Sequence, residues 1–166
     1  MLLDGVFNGD PHPGNILLCD DGRVGLVDYG QVARVPHFMR LHIAKICLAL
    51  CHDDVPTVLR EQARIGFRTQ RNDPYVLEKH ARLCWDNSDR ATTEGLNVQL
   101  FAEYLDKRDP ITHNVDEGVM AVRMCMVLWA VCNHLGCERL RVCEELAPTA
   151  RTLLRQEDPE FLKQYS

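Results

Sequence analysis

The stretch Asn8-Gly9-Asp10-Pro11-His12-Pro13-Gly14-Asn15 decides how the chain is interpreted. It places two prolines, two glycines, a histidine and an acid within eight residues near the start of the sequence. Proline locks φ and glycine permits strained backbone, so these residues predict a rigid loop between Asp10 and Asn15. Such a loop is either a surface turn or the working loop of a site, and the residues that follow it favour one of the two.

A β-hairpin is predicted directly after the loop. Ile16 to Leu18 and Val24 to Val27 are short β-prone runs, and the Asp21-Gly22 pair between them is a turn signal. Asp28-Tyr29-Gly30 follows the second run, and Gly30 lets the chain turn immediately after Asp28. The pattern therefore predicts a hairpin with a polar loop at each end.

Asp10, Asn15 and Asp28 have the order and spacing of the oxygen-bearing groups in kinase-like phosphoryl transfer. In that chemistry an Asp lies near the acceptor hydroxyl, an Asn shortly after it binds Mg²⁺, and a second Asp beyond a hairpin bridges metal and phosphates. Mg²⁺ prefers oxygen ligands and keeps part of its water shell. We therefore predict Asp10 as the catalytic residue and Asn15 and Asp28 as Mg²⁺ ligands. In the alternative interpretation all three are ordinary turn or strand-exit residues.

The pattern becomes helical after Pro36, and no domain boundary interrupts the rest. Helices are predicted at 37–52, 55–65, 74–86, 96–107, 117–135, 138–155 and, as a short one, near 159–165. An Asp beside a first-turn proline marks the starts near Asp54 and Asp73. Val119 to Val131 is apolar almost all round, which predicts the central buried helix. Pro148 is expected to kink or split its helix.

Bulk composition excludes several classes of protein. The 166 residues suggest one domain, and the net charge of −5 without long charge runs argues against nucleic-acid binding. No apolar run reaches the roughly 18 residues of a membrane span, and no targeting signal is recognisable. The eight cysteines include no Cys-x-x-Cys pair, and several lie at helical spacing among apolar residues. We interpret them as buried structural thiols of a reducing compartment.

The segments from Gly5 to Leu17 and from Gly25 to Gln31 resemble the paired motifs of the UbiB/aarF-type atypical kinases, also called the ADCK family. Their catalytic loop typically reads F-H-A-D-P-H-P-G-N, and their metal-binding segment reads D-F-G or D-Y-G. The strong match covers about the first 35 residues and departs at Asn8 and Gly9, where His and Ala are commoner. Asn8-Gly9-Asp10 also approaches the His-Gly-Asp of aminoglycoside phosphotransferases and choline kinases, so these small-molecule kinases stay as a neighbouring possibility.

The resemblance implies the C-terminal lobe of a protein-kinase-like fold, mainly α with a small β-hairpin. Residues 1–35 would hold the catalytic loop, the hairpin and the metal-binding segment, and residues 36–166 the helical body. By resemblance Asp10 is catalytic, and Asn15 and Asp28 bind Mg²⁺. The residues expected to shape the loops are Pro11, His12, Pro13, Gly14 and Gly30.

The resemblance also implies ATP and Mg²⁺ as cofactors, with weak ATPase activity. It suggests a link to isoprenoid quinone biosynthesis of the ubiquinone type, in mitochondria or plastids. A protein or a quinone-precursor lipid is a further expected partner.

The nucleotide-binding lysine and the N-terminal lobe of a kinase have no counterpart that we recognise in the sequence. The lysines lie in helical or solvated contexts, and none is assigned that role: Lys45, Lys79, Lys107 and Lys163. We therefore expect a C-lobe without its N-lobe, feeble nucleotide binding by the chain alone, and uncovered apolar surface at Leu2, Leu3 and Val6. The alternative is a non-catalytic pseudo-kinase remnant that binds protein or lipid.

Overall fold

The computed structural model of the protein describes residues 1–114, 116–137 and 140–165. Its strands are short and antiparallel: β1 (Val6–Asn8), β2 (Ile16–Leu18), β3 (Val24–Leu26), β4 (Val32–Arg34), β5 (Arg68–Thr69) and β6 (Ile111–His113). Its helices are α1 (His37–Cys51), α2 (Val55–Ile65), α3 (Pro74–Trp85), α4 (Val98–Arg108), α5 (Asp116–His134), α6 (Val142–Glu157) and α7 (Pro159–Leu162). The predicted mainly α fold with a small hairpin is therefore confirmed.

The predicted hairpin forms between β2 and β3, with Ile16 opposite Leu26 and Leu18 opposite Val24. Its turn contains Gly22 at φ +80°, a conformation that glycine adopts without a steric penalty. Two further pairs, β1 with β4 and β5 with β6, were not predicted. Each of these strands has only two or three residues, which is too short for an alternating pattern to reveal.

The predicted helix starts are confirmed by side-chain caps. The carboxylate of Asp54 accepts a hydrogen bond from the Thr57 amide at 3.2 Å, and that of Asp73 accepts one from the Tyr75 amide at 3.0 Å. Each cap satisfies one of the amides that the first turn of a helix leaves without a backbone partner. Helix α2 ends at Gly66, whose φ of +104° suits glycine.

Helix α1 lies at the centre of the core, where it packs against α2 and α6. Every residue from Ile43 to Leu50 is buried. The prediction that Val119 to Val131 forms the central helix is wrong, because in the described part of α5 only Ala121 and Cys125 are buried. Helix α5 packs mainly on α3 and β4. The apolar sequence of this helix thus did not indicate how many of the helix faces are covered by other elements.

Helix α6 is continuous through Pro148, so the prediction that this proline splits the helix is wrong. A kink stays a prediction. Buried Cys143 before Pro148 and buried Leu153 and Leu154 after it anchor both halves in the core. Tertiary packing of this kind outweighs the loss of one backbone hydrogen bond at a proline. The first residues of the predicted 138–155 helix, 138 and 139, lie outside the described residues.

The chain start is less exposed than expected. Leu2 is buried, with 1% of its surface accessible, and its carbonyl accepts a hydrogen bond from Arg40 at 3.1 Å. The expectation of an uncovered Leu2 is therefore wrong, whereas Leu3 is exposed and Val6 is half-buried. Within the described ranges, no helix combines the length and apolar character needed to cross a bilayer.

Four of the cysteines are buried, namely Cys47, Cys84, Cys125 and Cys143, and all eight are free thiols. The prediction of buried thiols is confirmed for Cys47 and Cys125, which lie on α1 and α5 at the helical spacings noted above. Cys51 and Cys132 are partly exposed. The reducing compartment inferred from them stays a prediction.

Candidate active site

Strand pairing brings the two ends of the site together. Strand β1 pairs with β4 so that Asn8 lies opposite Val32. The ladder continues one step beyond the strands, where the Gly9 amide donates to the Gln31 carbonyl at 2.8 Å. Asp10, the next residue, therefore begins its loop beside the segment that follows Asp28.

The β2–β3 hairpin brings Asn15 close to the segment that begins at Asp28. Its first strand begins at Ile16, which pairs with Leu26 on the second strand. The Val27 amide then donates to the Asn15 carbonyl at 3.0 Å. Because the two strands are antiparallel, the residue before the first strand, Asn15, and the residue after the second, Val27, meet at the open end of the hairpin, and Asp28 is the next residue. Asn15 and Asp28 are in this way brought to one edge.

The side chain of Asn8 joins the two loops. Its oxygen accepts a hydrogen bond from the Asp10 amide at 2.9 Å, and its nitrogen donates to the Asp28 carbonyl at 2.9 Å. The amide nitrogen of Asn15 donates to the Asp10 carbonyl at 3.2 Å. Asp10, Asn15 and Asp28 therefore belong to one hydrogen-bonded unit, with Asn8 as its connecting residue.

The carboxylate of Asp10 lies between two donors from distant parts of the chain. Nε2 of Gln31 lies 3.4 Å from Oδ2, and Nη2 of Arg123 on α5 lies 3.4 Å from Oδ1. Both contacts are long, so each is a weak hold and not a tight clamp. The side chain of Asp10 keeps 29% of its surface accessible. The carboxylate is thus oriented from both sides and stays partly open to solvent.

The loop-shaping residues hold the backbone of the loop by local contacts. Nδ1 of His12 accepts a hydrogen bond from the Gly14 amide at 3.1 Å, and the His12 carbonyl accepts one from the Asn15 amide at 2.7 Å. Pro13 is the first residue of the 3-10 turn Pro13–Asn15, and Pro11 is buried. A Cβ at Gly14 would lie 3.3 Å from His12 Nδ1, so the turn favours the smallest residue there.

Asp28 has a strained backbone conformation, with φ at +61°. A non-glycine residue in the left-handed region is uncommon and costs on the order of 1 kcal/mol. Its carboxylate oxygen Oδ1 accepts a hydrogen bond from the Gly30 amide at 2.9 Å, which stabilises the turn. A Cβ at Gly30 would come within 3.1 Å of that oxygen. The strained backbone of Asp28 carries an energetic cost, and the hydrogen bond to Gly30 fixes the direction of the Asp28 carboxylate.

The donor set suits Mg²⁺ with phosphate. The nitrogen of the Asn15 amide is used in the bond to Asp10, so its oxygen is the atom left to bind a cation. Asp28 commits Oδ1 to Gly30 and has a second carboxylate oxygen, Oδ2. Among the described residues, no group of three or more His, Cys, Asp or Glu side chains could hold a metal. Two protein oxygens completed by phosphate and water fit the way Mg²⁺ binds in nucleotide enzymes.

Sequence reasoning missed three residues of this unit. Asn8 departs from the histidine common in the family, and its place two residues before Asp10 is the signal for the cap that it forms on the Asp10 amide. Gln31 follows Asp28-Tyr29-Gly30, and nothing in that sequence indicates its contact with Asp10. Arg123 lies 113 positions from Asp10 along the chain, and no local signal could have found it.

An apolar groove of about 330 Å³ lies beside the loop. Pro13 forms one wall, and the other is formed by Val127, Ala130, Val131 and His134 on α5 and by Leu135, which follows the helix. Leu135 is 74% exposed. The partial burial of α5 is explained by this open face.

Three of the lysines form ion pairs with acids outside the unit. Lys45 pairs with Asp158 at 2.6 Å, Lys79 with Glu94 at 3.7 Å and Lys163 with Glu160 at 2.7 Å. None of these acids belongs to the unit around Asp10 and Asp28.

Comparison with known proteins agrees with the motifs. Residues 1–62 match the family model of the ABC1 atypical kinase-like domain. The chain is 31% identical over 88 residues to "Protein ACTIVITY OF BC1 COMPLEX KINASE 1, chloroplastic" of Arabidopsis thaliana, an alignment that covers 53% of this chain and 13% of that protein. It is 27% identical over 105 residues to "Protein ACTIVITY OF BC1 COMPLEX KINASE 3, chloroplastic" of the same plant, covering 63% and 15%.

A third relative, a chloroplastic aarF domain-containing protein kinase of Arabidopsis thaliana, is 28% identical over 67 residues, or 40% of this chain and 10% of that protein. The chain thus spans between about a tenth and a seventh of the length of these relatives. No solved structure matches the chain. The resemblance of the paired motifs is confirmed: residues 1–62, which include the loop and the segment after the hairpin, match the ABC1 atypical kinase-like domain of the UbiB/aarF family.

Proposed function

We propose that Asp10, Asn15 and Asp28 form the catalytic and metal-binding part of a Mg²⁺-ATP site in an atypical kinase or ATPase of the UbiB type. The observation that carries the proposal is the hydrogen-bonded unit in which Asn8 connects the backbone of Asp10 to that of Asp28. An ordinary surface turn needs neither this cross-link nor the left-handed φ of Asp28.

Asp10 acts on the acceptor in this proposal. Its carboxylate accepts the proton of a substrate hydroxyl, or positions a water molecule when the reaction is ATP hydrolysis. Gln31 and Arg123 orient the two carboxylate oxygens from opposite sides. Because both contacts are weak, Asp10 can exchange one of them for the acceptor without a large cost.

Asn15 and Asp28 hold the metal side of the site. The amide oxygen of Asn15 and the carboxylate of Asp28 are the groups that would bind Mg²⁺, which neutralises charge on phosphate oxygens when it is bound. Asp28 is kept in place by its bond to Gly30, and Asn15 by its bonds to Asp10 and Val27. The two ligands therefore need little reorganisation on binding.

The proposal divides the chain into residues 1–35, which carry this site, and residues 36–166, which form the helical body. The pairing of β1 with β4 within the first segment supports the division. In the longer relatives the matched segment is a small part, so ATP binding by the whole protein would also need groups outside this chain. The chain alone is then expected to bind nucleotide only weakly.

The wider expectations belong to the same proposal. The apolar groove between Pro13 and α5 supports a quinone-precursor lipid or another apolar partner beside Asp10. The chloroplastic names of the relatives support a plastid location over a mitochondrial one. A link to isoprenoid quinone biosynthesis follows from the family resemblance.

A second candidate function is a non-catalytic binding module. The hairpin exposes apolar side chains that a free surface rarely carries, at Leu17, Leu18, Val24 and Leu26. In this alternative the hairpin contacts a protein partner and the loop serves as a scaffold. The two candidates differ in whether the chain binds nucleotide in a metal-dependent way.

Titration of the chain with ATP, with and without Mg²⁺, tests the proposal by calorimetry. We expect weak binding that requires Mg²⁺. Asp28→Ala should weaken it by at least about tenfold, equivalent to about 1.4 kcal/mol, because a charged ligand oxygen is lost. Asp20→Ala removes the same charge from the exposed turn of the hairpin and should leave the affinity unchanged.

Three outcomes would count against parts of this account. Equal affinity of the wild type and Asp28→Ala would contradict the assignment of Asp28. Absence of nucleotide binding at saturating ATP, with the fold intact, would favour the binding module. Micromolar affinity that Asp28→Ala abolishes would contradict the expectation that the site needs further groups.

A further inference from the structure

A glutamine oxygen on helix α2 lies in the core without a hydrogen-bond partner. Gln62 has 4% of its surface accessible, and its Oε1 atom has no donor within reach among the described residues. Removing a carbonyl oxygen from water is destabilising unless another hydrogen bond replaces those that it made to water. Most buried polar side chains in folded proteins therefore bond to a protein group or to ordered water. The Gln62 oxygen thus needs a donor that the described side chains around it do not supply.

A small cavity lies beside Gln62. Its volume is about 40 Å³, and helices α1, α2, α3 and α5 all contribute to its lining. Most of that lining is apolar, as at Ile43 on α1 and Val122 on α5. The polar groups on it include Gln62 itself and, on α3, His80 and Cys84. The unpartnered oxygen therefore belongs to a side chain that borders a mainly apolar cavity.

The volume of the cavity decides which ligand it can take. One water molecule needs roughly 10–15 Å³ of cavity volume. The cavity of about 40 Å³ therefore admits one water and leaves room for a second. Benzene occupies an apolar cavity of about 150 Å³, so a ring-shaped ligand does not fit. A smaller apolar molecule would leave the Gln62 oxygen without a donor, and water satisfies both the size and the hydrogen bond.

His80 provides a second partner for a water in this cavity. Its Nδ1 and Nε2 atoms lie 3.6 and 3.8 Å from the Cys84 sulfur, which is a weak hydrogen-bond partner. Burial lowers the pKa of His80 to about 4, so at neutral pH the ring is uncharged and has one donor and one acceptor nitrogen. A water that donates to Gln62 can therefore also bond to the ring, whichever nitrogen carries the proton. Buried waters typically make two to four such bonds.

We propose that this cavity is a hydration site, in which an ordered water donates a hydrogen bond to Gln62 Oε1 and bonds to His80 on the neighbouring helix. The water thereby links α2 to α3 at the place where α5 covers them. Turning the Gln62 amide by 180° would leave the proposal valid, because its NH₂ group would then donate to the water. The proposal does not depend on the function proposed for the site around Asp10.

A larger cavity next to the first provides a contrast. It has a volume of about 160 Å³ and shares Phe67 and His80 with the first cavity as a common wall. Its lining is mainly apolar, as at Val76. Of the two acids on that lining, Asp106 is exposed, and Asp109 accepts hydrogen bonds from a hydroxyl and two backbone amides. Apolar cavities of about this size stay dry, so we expect the ordered water beside Gln62 and not in the larger space.

NMR measurement of nuclear Overhauser effects between water and the labelled chain tests the proposal. We expect signals from water to the methyl groups of Ile43 and Ile46, which line the first cavity, and none to Val76 in the second. Gln62→Met removes the oxygen at similar side-chain length and should abolish these signals. Gln99→Met makes the same change at an exposed position of α4 and should keep them.

Two results of this experiment would overturn the proposal. One is the absence of water signals at Ile43 and Ile46 in the folded wild type. The other is their persistence in Gln62→Met, which would assign them to exchangeable protons of His80 or Cys84.

A crystal structure of the wild-type chain gives an independent test that does not require Gln62→Met to fold. We expect a water oxygen at about 2.8 Å from Gln62 Oε1 and within hydrogen-bond distance of a His80 ring nitrogen. A protein donor bonded to Gln62 Oε1 in place of the water would contradict the hydration site.

Discussion

Asn8 occupies a position where the resembled family usually has histidine, and it connects both halves of the candidate site. Its two hydrogen bonds run to the Asp10 amide and the Asp28 carbonyl, each at 2.9 Å. A planar amide offers one acceptor and a donor group on the same side chain, which these two backbone partners require. Asn8 therefore holds the loop of Asp10 and the segment of Asp28 together in this chain.

The substitution Asn8→Ala should affect both stability and binding. Loss of two hydrogen bonds that are partly open to solvent should cost about 1 kcal/mol in the free energy of unfolding. Freeing Asp10 from Asp28 should also weaken Mg²⁺-ATP binding several-fold. Thermal unfolding and the ATP titration described above measure the two effects.

Asn133→Ala is the matched control, because Asn133 is exposed on α5. It should leave the melting temperature and the affinity close to those of the wild type. If Asn8→Ala lowered the melting temperature but left Mg²⁺-dependent binding unchanged, Asn8 would have a structural role only.

Most of the candidate site was predictable at the residue scale, since Asp10, Asn15 and Asp28 lie within 19 positions around one hairpin. Their approach follows from local pairing, and sequence patterns report local pairing well. Arg123 could not be found in the same way, because its contact with Asp10 depends on how α5 packs against the loop. That packing is a property of the whole fold.

At the scale of elements, the contact between the loop and α5 depends on Gly9. A Cβ at this position would lie 2.6 Å from the Met120 methyl group and 3.0 Å from the Gln31 carbonyl. The first contact can relax because the methionine side chain is flexible, but the second involves backbone. Helix α5 can therefore approach the loop closely only with a very small residue at Gly9.

We expect Gly9→Ala to lower the free energy of unfolding by about 1 to 3 kcal/mol, because overpacking forces a shift between loop and helix. Gly118→Ala is a matched substitution on α5, where the nearest atom to a new Cβ, the Met39 sulfur, lies at an ordinary 3.8 Å. It should stabilise by about 0.5 to 1 kcal/mol through helix propensity. Chemical denaturation of the three proteins measures both values, and equal effects would contradict the close approach at Gly9.

Helix positions were predictable because caps and prolines mark them, as at Asp54 and Asp73. The extent to which each helix is buried was not predictable from the sequence. Val119 to Val131 has the more uniformly apolar sequence, yet α1 is the central helix. Burial depends on how many neighbours surround a helix, and α5 has an open face along the groove near Pro13. The short strands β1 and β4 were missed because their pairing is non-local.

At the scale of the whole molecule, His80 should make stability depend on pH. It stacks on Phe67 with ring centroids 4.1 Å apart and lies 3.6 Å from the Cys84 sulfur. Burial lowers the pKa of His80 from 6.5 to about 4. Between these values the unfolded chain binds more protons than the folded protein, so acid favours unfolding.

The free energy of unfolding should therefore fall as pH decreases from 6.5 towards 4, by up to about 1.4 kcal/mol per pH unit and about 3 kcal/mol in total. His80→Gln removes this titration, so its pH dependence over the window should be weaker than that of the wild type. His134→Gln, which changes an exposed histidine on α5, should keep the wild-type slope. Identical slopes for all three proteins would contradict the lowered pKa of His80 in the folded protein.

The central claim is that Asp10, Asn15 and Asp28 act together at one metal-nucleotide site. Amide NMR of the labelled chain with Mn²⁺-ATP tests it directly, because a paramagnetic ion broadens nearby signals even when binding is weak. The account predicts simultaneous broadening at Gly14 and Asn15 and at Asp28 to Gly30, reversed by excess Mg²⁺ and lost in Asp28→Ala. Broadening confined to acids elsewhere, such as Asp20 and Asp21 in the hairpin turn, would contradict it.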